Sequence, residues 1–96
     1  MSINKVVYKY PIDIDSEVTL PGGKVVHTEA SEIGKLHEIR VWVEHWVDEH
    51  GKVLSYNGQS KLVLKVHGTG HLVDLSSEHV GTVLAGPFVW HIYKVN

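Results

Sequence analysis

From Glu38 to Val47 the chain alternates strictly, with Ile39, Val41, Val43, His45 and Val47 in one phase and Glu38, Arg40, Trp42, Glu44 and Trp46 in the other. A period of two sustained over such a run specifies a β-strand with one face toward a core. A helix would need apolar residues at steps of three and four, and the β-branched side chains at 39, 41, 43 and 47 resist it. The second face mixes tryptophan with both signs of charge, a composition suited to contact with a partner.

The same logic finds further strands. Val6, Val7, Tyr8 and Tyr10 form a first, edge-type strand that Pro11 should end. Val18 to Leu20 and Lys24 to Thr28 flank Pro21-Gly22-Gly23 and predict a short hairpin. Between Asp48 and Ser60 the turn signals allow either one long hairpin loop or a hairpin with a short strand around Val53 to Tyr56. Leu62, Leu64 and Val66 alternate along a strand that is apolar enough on both faces to be central and that stops at Gly68-Thr69-Gly70. Leu72 to Glu78 is the one place for a short helical turn. Gly81 to Leu84, the Gly86-Pro87 turn and Phe88 to Val95 close the chain in strand.

About six or seven short strands with frequent turns predict an all-β domain spanning 1–96, an antiparallel barrel or sandwich. Ninety-six residues leave room for one core. With no cysteine there is no disulfide, thiolate nucleophile or thiolate zinc site, which suits a reducing compartment. No apolar run reaches the ~20 residues of a membrane helix, and no basic-then-apolar leader is present, so a cytoplasmic protein is expected. Duplex nucleic acid is not an expected partner, because Arg40 is the single arginine and the net charge is −2.

The compositional anomaly is histidine, at eight residues. His67 and His71 stand four apart across a glycine loop without the intervening carboxylate of a metalloprotease helix, and no metal site or cofactor is expected from them. His67-Gly68-Thr69 matches half of the paired His-x-Ser/Thr motif of two-histidine phosphoesterases, but no other histidine completes the pair. Gly68-Thr69-Gly70 lacks the remainder of a dinucleotide fingerprint or P-loop and reads as a strand-ending turn. No catalytic residue is assigned. The chemistry present suits a small nucleotide-type ligand, with aromatic platforms, donors and a cation supplied by Arg40, Trp42, Trp46, Tyr56, Thr69, His71 and His91.

Five blocks, Tyr8-Lys9-Tyr10-Pro11, Leu20 to His27, Gly68-Thr69-Gly70-His71, Gly81-Thr82 and Gly86-Pro87-Phe88-Val89-Trp90-His91-Ile92-Tyr93, follow in an order that covers nearly the whole chain. In that order the chain resembles small phage-encoded proteins grouped as a domain of unknown function, with Y-K-Y-P, L-P-x-G-A, G-T-G-H, G-T and G-P-F-V-W-H motifs. It departs from them at His79, where an aromatic residue often precedes Gly-Thr, and in the longer 48–60 stretch.

The resemblance implies a phage context and no reaction. The expectation is therefore a phage accessory protein, acting in the host cytoplasm, that antagonises a host defence by stoichiometric binding, sequestering a small nucleotide-type signal. Direct inhibition of a host defence protein, a structural or morphogenetic phage role, and a histidine-dependent hydrolase are the alternatives. Small domains often bury ligands between subunits, so a homo-oligomer is expected.

Overall fold

The computed structural model describes residues 2–33 and 36–96. Its strands are β1 (Asn4–Ile12), β2 (Val18–Pro21), β3 (Lys24–Ile33), β4 (Leu36–Val47), β5 (Lys61–Gly68), β6 (Glu78–Ala85) and β7 (Phe88–Lys94). They form two antiparallel sheets, a three-stranded one ordered β1-β4-β3 and a four-stranded one ordered β2-β5-β7-β6. The arrangement is a sandwich and not a closed barrel.

The alternation in β4 sets the first sheet. Ile39, Val41, Val43 and Val47 are buried, while Trp42, Glu44 and Trp46 are half-exposed on the outer face. From the second sheet Leu62, Leu64, Val66, Val83 and Ile92 meet Ile39, Val41 and Val43, and Ile12 and Leu20 complete the core. Pro11 does not end β1, which runs on to Ile12 paired with Ile39. An edge strand has one side without a ladder, where a missing N–H costs nothing.

The hairpin expected at Pro21-Gly22-Gly23 is not formed. β2 pairs with β5 and β3 pairs with β4, so this segment carries the chain from one sheet to the other. Neither glycine adopts the left-handed conformation that a tight hairpin turn demands. Their function is close approach. Gly22 N–H donates to the Ser60 carbonyl at 3.0 Å, and a Cβ on Gly23 would lie 2.6 Å from the Glu44 carbonyl oxygen.

The helical turn expected over 72–78 is absent, and the described residues contain no helix. Asp74 Oδ1 accepts from the Ser76 amide at 2.9 Å and the Ser76 hydroxyl at 2.8 Å, and Ser77 N–H donates to the Asp74 carbonyl at 3.0 Å. A short carboxylate that bonds nearby backbone offers the chain a turn in place of a helix. Between Asp48 and Ser60 the chain crosses between sheets through two turns, stitched by the isolated bridges Val47↔Val53 and Tyr56↔Gln59. A two-residue Gly86-Pro87 loop joins β6 to β7, with Gly86 at φ 61° and Pro87 restricted to negative φ, the combination of a type II′ turn.

Among the described residues, one polar side chain lies fully inside the core. His45 is 0% exposed, its Nδ1–H donates to the Gly22 carbonyl at 2.8 Å, and the Tyr10 hydroxyl donates to its Nε2 at 2.8 Å. A carbonyl can only accept, so this geometry selects the tautomer. Burial, with the neighbouring Tyr8 charge second, holds the Tyr10 phenol above its ordinary range, keeping its proton available for the bond. No helix of the described residues is long and apolar enough to cross a membrane.

Candidate functional site

The outer face of the four-stranded sheet collects histidines because three strands place them in the outward phase at matching register. His67 of β5 lies opposite His91 of β7, which lies opposite Thr82 of β6. The adjoining row runs Lys65, Tyr93, His79. Cross-strand partners on one face bring side chains within reach of each other. The His67 and Tyr93 rings meet edge-on at 5.6 Å, His79 and Tyr93 at 5.3 Å, and the His79 and His91 centroids are 6.1 Å apart.

Hydrogen bonds join part of this cluster into a relay. His79 Nε2 lies 2.9 Å from Thr82 Oγ1, which lies 3.2 Å from His91 Nδ1, and His91 Nε2 lies 3.0 Å from Thr69 Oγ1. A hydroxyl between two ring nitrogens has one proton to give, so the chain is consistent in either direction. If His79 donates to Thr82, Thr82 donates to His91 Nδ1 and His91 Nε2–H donates to Thr69. In the reverse direction Thr69 is the first donor.

Beyond β5 the chain turns sharply over Gly68 to His71, with His71 N–H donating to the Gly68 carbonyl at 3.2 Å and Gly70 at φ 86°. This is the strand-ending turn that the glycines predict, and it folds the His71 ring back over Gly68, whose N–H donates to His71 Nδ1 at 3.1 Å. A Cβ at Gly68 would sit 3.0 Å from that ring. Two concavities meet here. One of about 200 Å³ lies between the loop and the sheet, lined by His67, His71, His91 and Tyr93. The other, about 390 Å³, shares Gly68 and His71 and is walled by Thr69, Pro87, Phe88, Val89 and Trp90. Phe88 and Trp90 stack with centroids 5.8 Å apart.

Desolvation holds the His67 imidazole below its ordinary value, and repulsion from Lys65 and then His71 adds to this. With the folded value lower, the unfolded chain takes up its proton first on acidification. Stability from this residue is therefore greatest above the ordinary imidazole value and declines as pH falls through it. The effect is small because the ring is partly solvated. In a histidine NMR titration Lys65→Gln is expected to move the His67 midpoint upward; an unmoved His67 would refute the assigned contribution of Lys65.

The seven residues expected to contact a ligand fall into separate groups. Thr69, His71 and His91 come together at the site just described. Arg40, Trp42 and Trp46 lie on the outer face of the other sheet, across the sandwich. There Trp42 packs edge-on against His27 at 4.9 Å, and Arg40 Nε is buried and unpartnered among the described residues. Tyr56, from the β4–β5 crossover, packs on Trp46 at 4.6 Å and donates to Glu44 Oε2 at 3.2 Å. Burial, then that carboxylate, raises its phenol.

His67, which the sequence raised only for metal and phosphoesterase chemistry, and His79, raised as a departure from the family motif, belong to the site, as do Thr82 and Tyr93, which the sequence did not assign to a ligand. Their outward phase was visible, but their common row was not. Among the described residues no three His, Asp or Glu side chains are grouped to hold a metal ion.

No curated protein and no solved structure matches the chain. A family model does, over residues 3–96, and its description is Domain of unknown function (DUF7352). Since that match spans nearly every residue that builds the two sheets and the histidine face, the chain belongs to this family of unknown function.

Proposed function

We propose that this protein binds a small nucleotide-type ligand stoichiometrically at the end of β5, without turnover. The observation that carries the reading is the junction of two unlike concavities at Gly68 and His71. The apolar one, with Phe88 and Trp90, suits the face of a base. The one lined by His67, His71 and His91 offers the His67 ring nitrogens and His71 Nε2 to a phosphate or sugar, with His91 held in place by its bonds to Thr69 and Thr82. Division of a pocket into an apolar wall and a few convergent polar groups is the usual anatomy of a small-ligand site. Binding without chemistry is supported by the commitment of Gly68 N–H to His71, which takes up one of the backbone donors flanking Thr69.

The biological reading rests on the motifs: a phage accessory protein that withholds a nucleotide signal from a host defence in the host cytoplasm. Leu72, Leu75 and Leu84, strongly exposed around the site, supply apolar surface for a second copy, and a homo-oligomer is part of the proposal.

Native mass spectrometry of the protein mixed with linear and cyclic nucleotides tests both parts. The expected result is a multimer that gains nucleotide mass in a whole-number ratio to subunits. Thr69→Val combined with His91→Ala is expected to weaken binding about tenfold or more, the scale of one or two lost polar contacts. Bare protein across the whole panel, or a double variant that binds as wild type, would overturn the reading.

A further inference from the structure

A larger concavity of about 580 Å³ opens between the two sheets, where β3 and β6 meet beside the β4–β5 crossover. It is remote in the fold from the Phe88 and Trp90 wall. Lys24 of β3 and Lys94 of β7 line it from opposite sheets, with His79, Tyr56, Asn57 and Gln59 around its rim.

Both lysines have a carboxylate as cross-strand neighbour, and neither forms an ion pair with it among the described residues. Lys24 stands opposite Glu44, but the Glu44 carboxylate is engaged by Lys5 Nζ at 3.9 Å and by the Tyr56 hydroxyl at 3.2 Å. Lys94 stands opposite Glu78, and no ion pair joins them. Among the described residues, two uncommitted cations therefore face one cavity whose lining includes a single carboxylate, that of Glu78.

The backbone is shaped around the same opening. β3 is bulged between Val25 and His27, and β6 between His79 and Gly81, so each of the two facing strands breaks its ladder at the cavity wall. Bulges recur where a strand re-aims side chains or ends pairing beside a site. At the rim, Tyr56 and Gln59 exchange both amide hydrogen bonds at 2.9 Å across Asn57 and Gly58, both at positive φ. That tight turn holds the side-chain amides of Asn57 and Gln59 at the entrance, while Val25, Leu62 and Val80 supply apolar floor.

We infer that the cavity between the sheets is a second binding site, for a compact phosphate-bearing anion held between Lys24 and Lys94. A lysine serves phosphate as a movable point charge, and a pair on opposite walls neutralises a dianion without requiring planar geometry. The volume matches a ligand no larger than a mononucleotide. The site is distinct from the histidine face, and His79 connects them: it lines the cavity and lies 2.9 Å from Thr82 Oγ1, which contacts His91.

The test is titration of the full chain with inorganic pyrophosphate, followed by amide NMR and calorimetry. Saturable shifts at Lys24, Gln59 and Lys94 are expected. Lys24→Met and Lys94→Met, which keep the stems and remove the charges, should each weaken binding at least tenfold. Thr69→Val with His91→Ala should change it by less than threefold. Shifts confined to 67–71 and 88–91 would overturn this inference while leaving the proposed nucleotide site standing. An absence of shifts at millimolar pyrophosphate, or lysine variants that bind as wild type, would overturn it as well.

Discussion

Gly23→Ala is expected to destabilise the protein by about 3 kcal/mol or more, enough to remove a large part of a small domain's stability. The new Cβ would lie 2.6 Å from the Glu44 carbonyl oxygen, 2.6 Å from Val43 Cγ1 and 2.9 Å from His45 Nδ1. None of these is the free end of a flexible side chain. Val43 and His45 are fully buried, and the carbonyl belongs to β4, the central strand of its sheet. Relief requires moving β4 or withdrawing the crossover, and either disturbs the core. Urea unfolding of the variant beside Val26→Ala, at an exposed position, measures the difference. A loss below about 1 kcal/mol for Gly23→Ala would show that the crossover is not held this tightly.

His45→Leu should cost about 2–4 kcal/mol even though leucine has similar bulk and is apolar. The ring satisfies two groups at once, the carbonyl of buried Gly22 and the hydroxyl of half-buried Tyr10. Leucine leaves both without a partner, and an orphaned buried polar group costs more than its hydrogen bond contributed. Tyr10→Phe removes only the donor to Nε2 and should cost about 1 kcal/mol. Combining the two substitutions should therefore be less damaging than the sum of the single changes, because the phenol that leucine strands is gone. Strict additivity in thermal or urea unfolding would mean that His45 and Tyr10 are not coupled. The same side chain links Gly22 to β1, so His45 ties the crossover between the sheets to β1 and β4.

These two sites show where reading the chain alone succeeded and where it stopped. The phase of β4 was legible at every position from Ile39 to Val47, and His45 was correctly placed on the inward face. What the alternation did not reveal was that this histidine has partners there. Those partners are a carbonyl 23 residues away and a phenol 35 residues away. Pro21-Gly22-Gly23 carries a strong turn signal and predicts a hairpin, because glycine next to proline looks the same whether it is needed for positive φ or for close approach. Leu72 to Glu78 predicts a short helical turn, and the structure has none there because Asp74 takes the Ser76 donors and turns the chain instead.

The candidate site was legible in part. Thr69, His71 and His91 carry ligand-binding chemistry in the sequence and do converge, since the Gly68-to-His71 turn and the phase of β7 are local properties. Trp42 and Trp46 carry it equally and sit across the sandwich. Strand phase says which face a residue occupies, but it does not say which sheet the strand joins. The lysine pair at the second cavity was not visible at all: Lys24 and Lys94 are ordinary surface residues until two sheets are laid together.

By itself the sequence determined the all-β class, most of the strands and the alternating faces of β4, β5 and β7. All of these follow from the two-residue pleat and from turn chemistry acting over a few bonds. The tertiary structure alone decided that β2 joins β5 and not β3, that His67, His91 and Thr82 stand in one row, and that two lysines face a common cavity. Pairing register and sheet membership are set by which buried surfaces fit together across the whole chain, so no single segment contains that information.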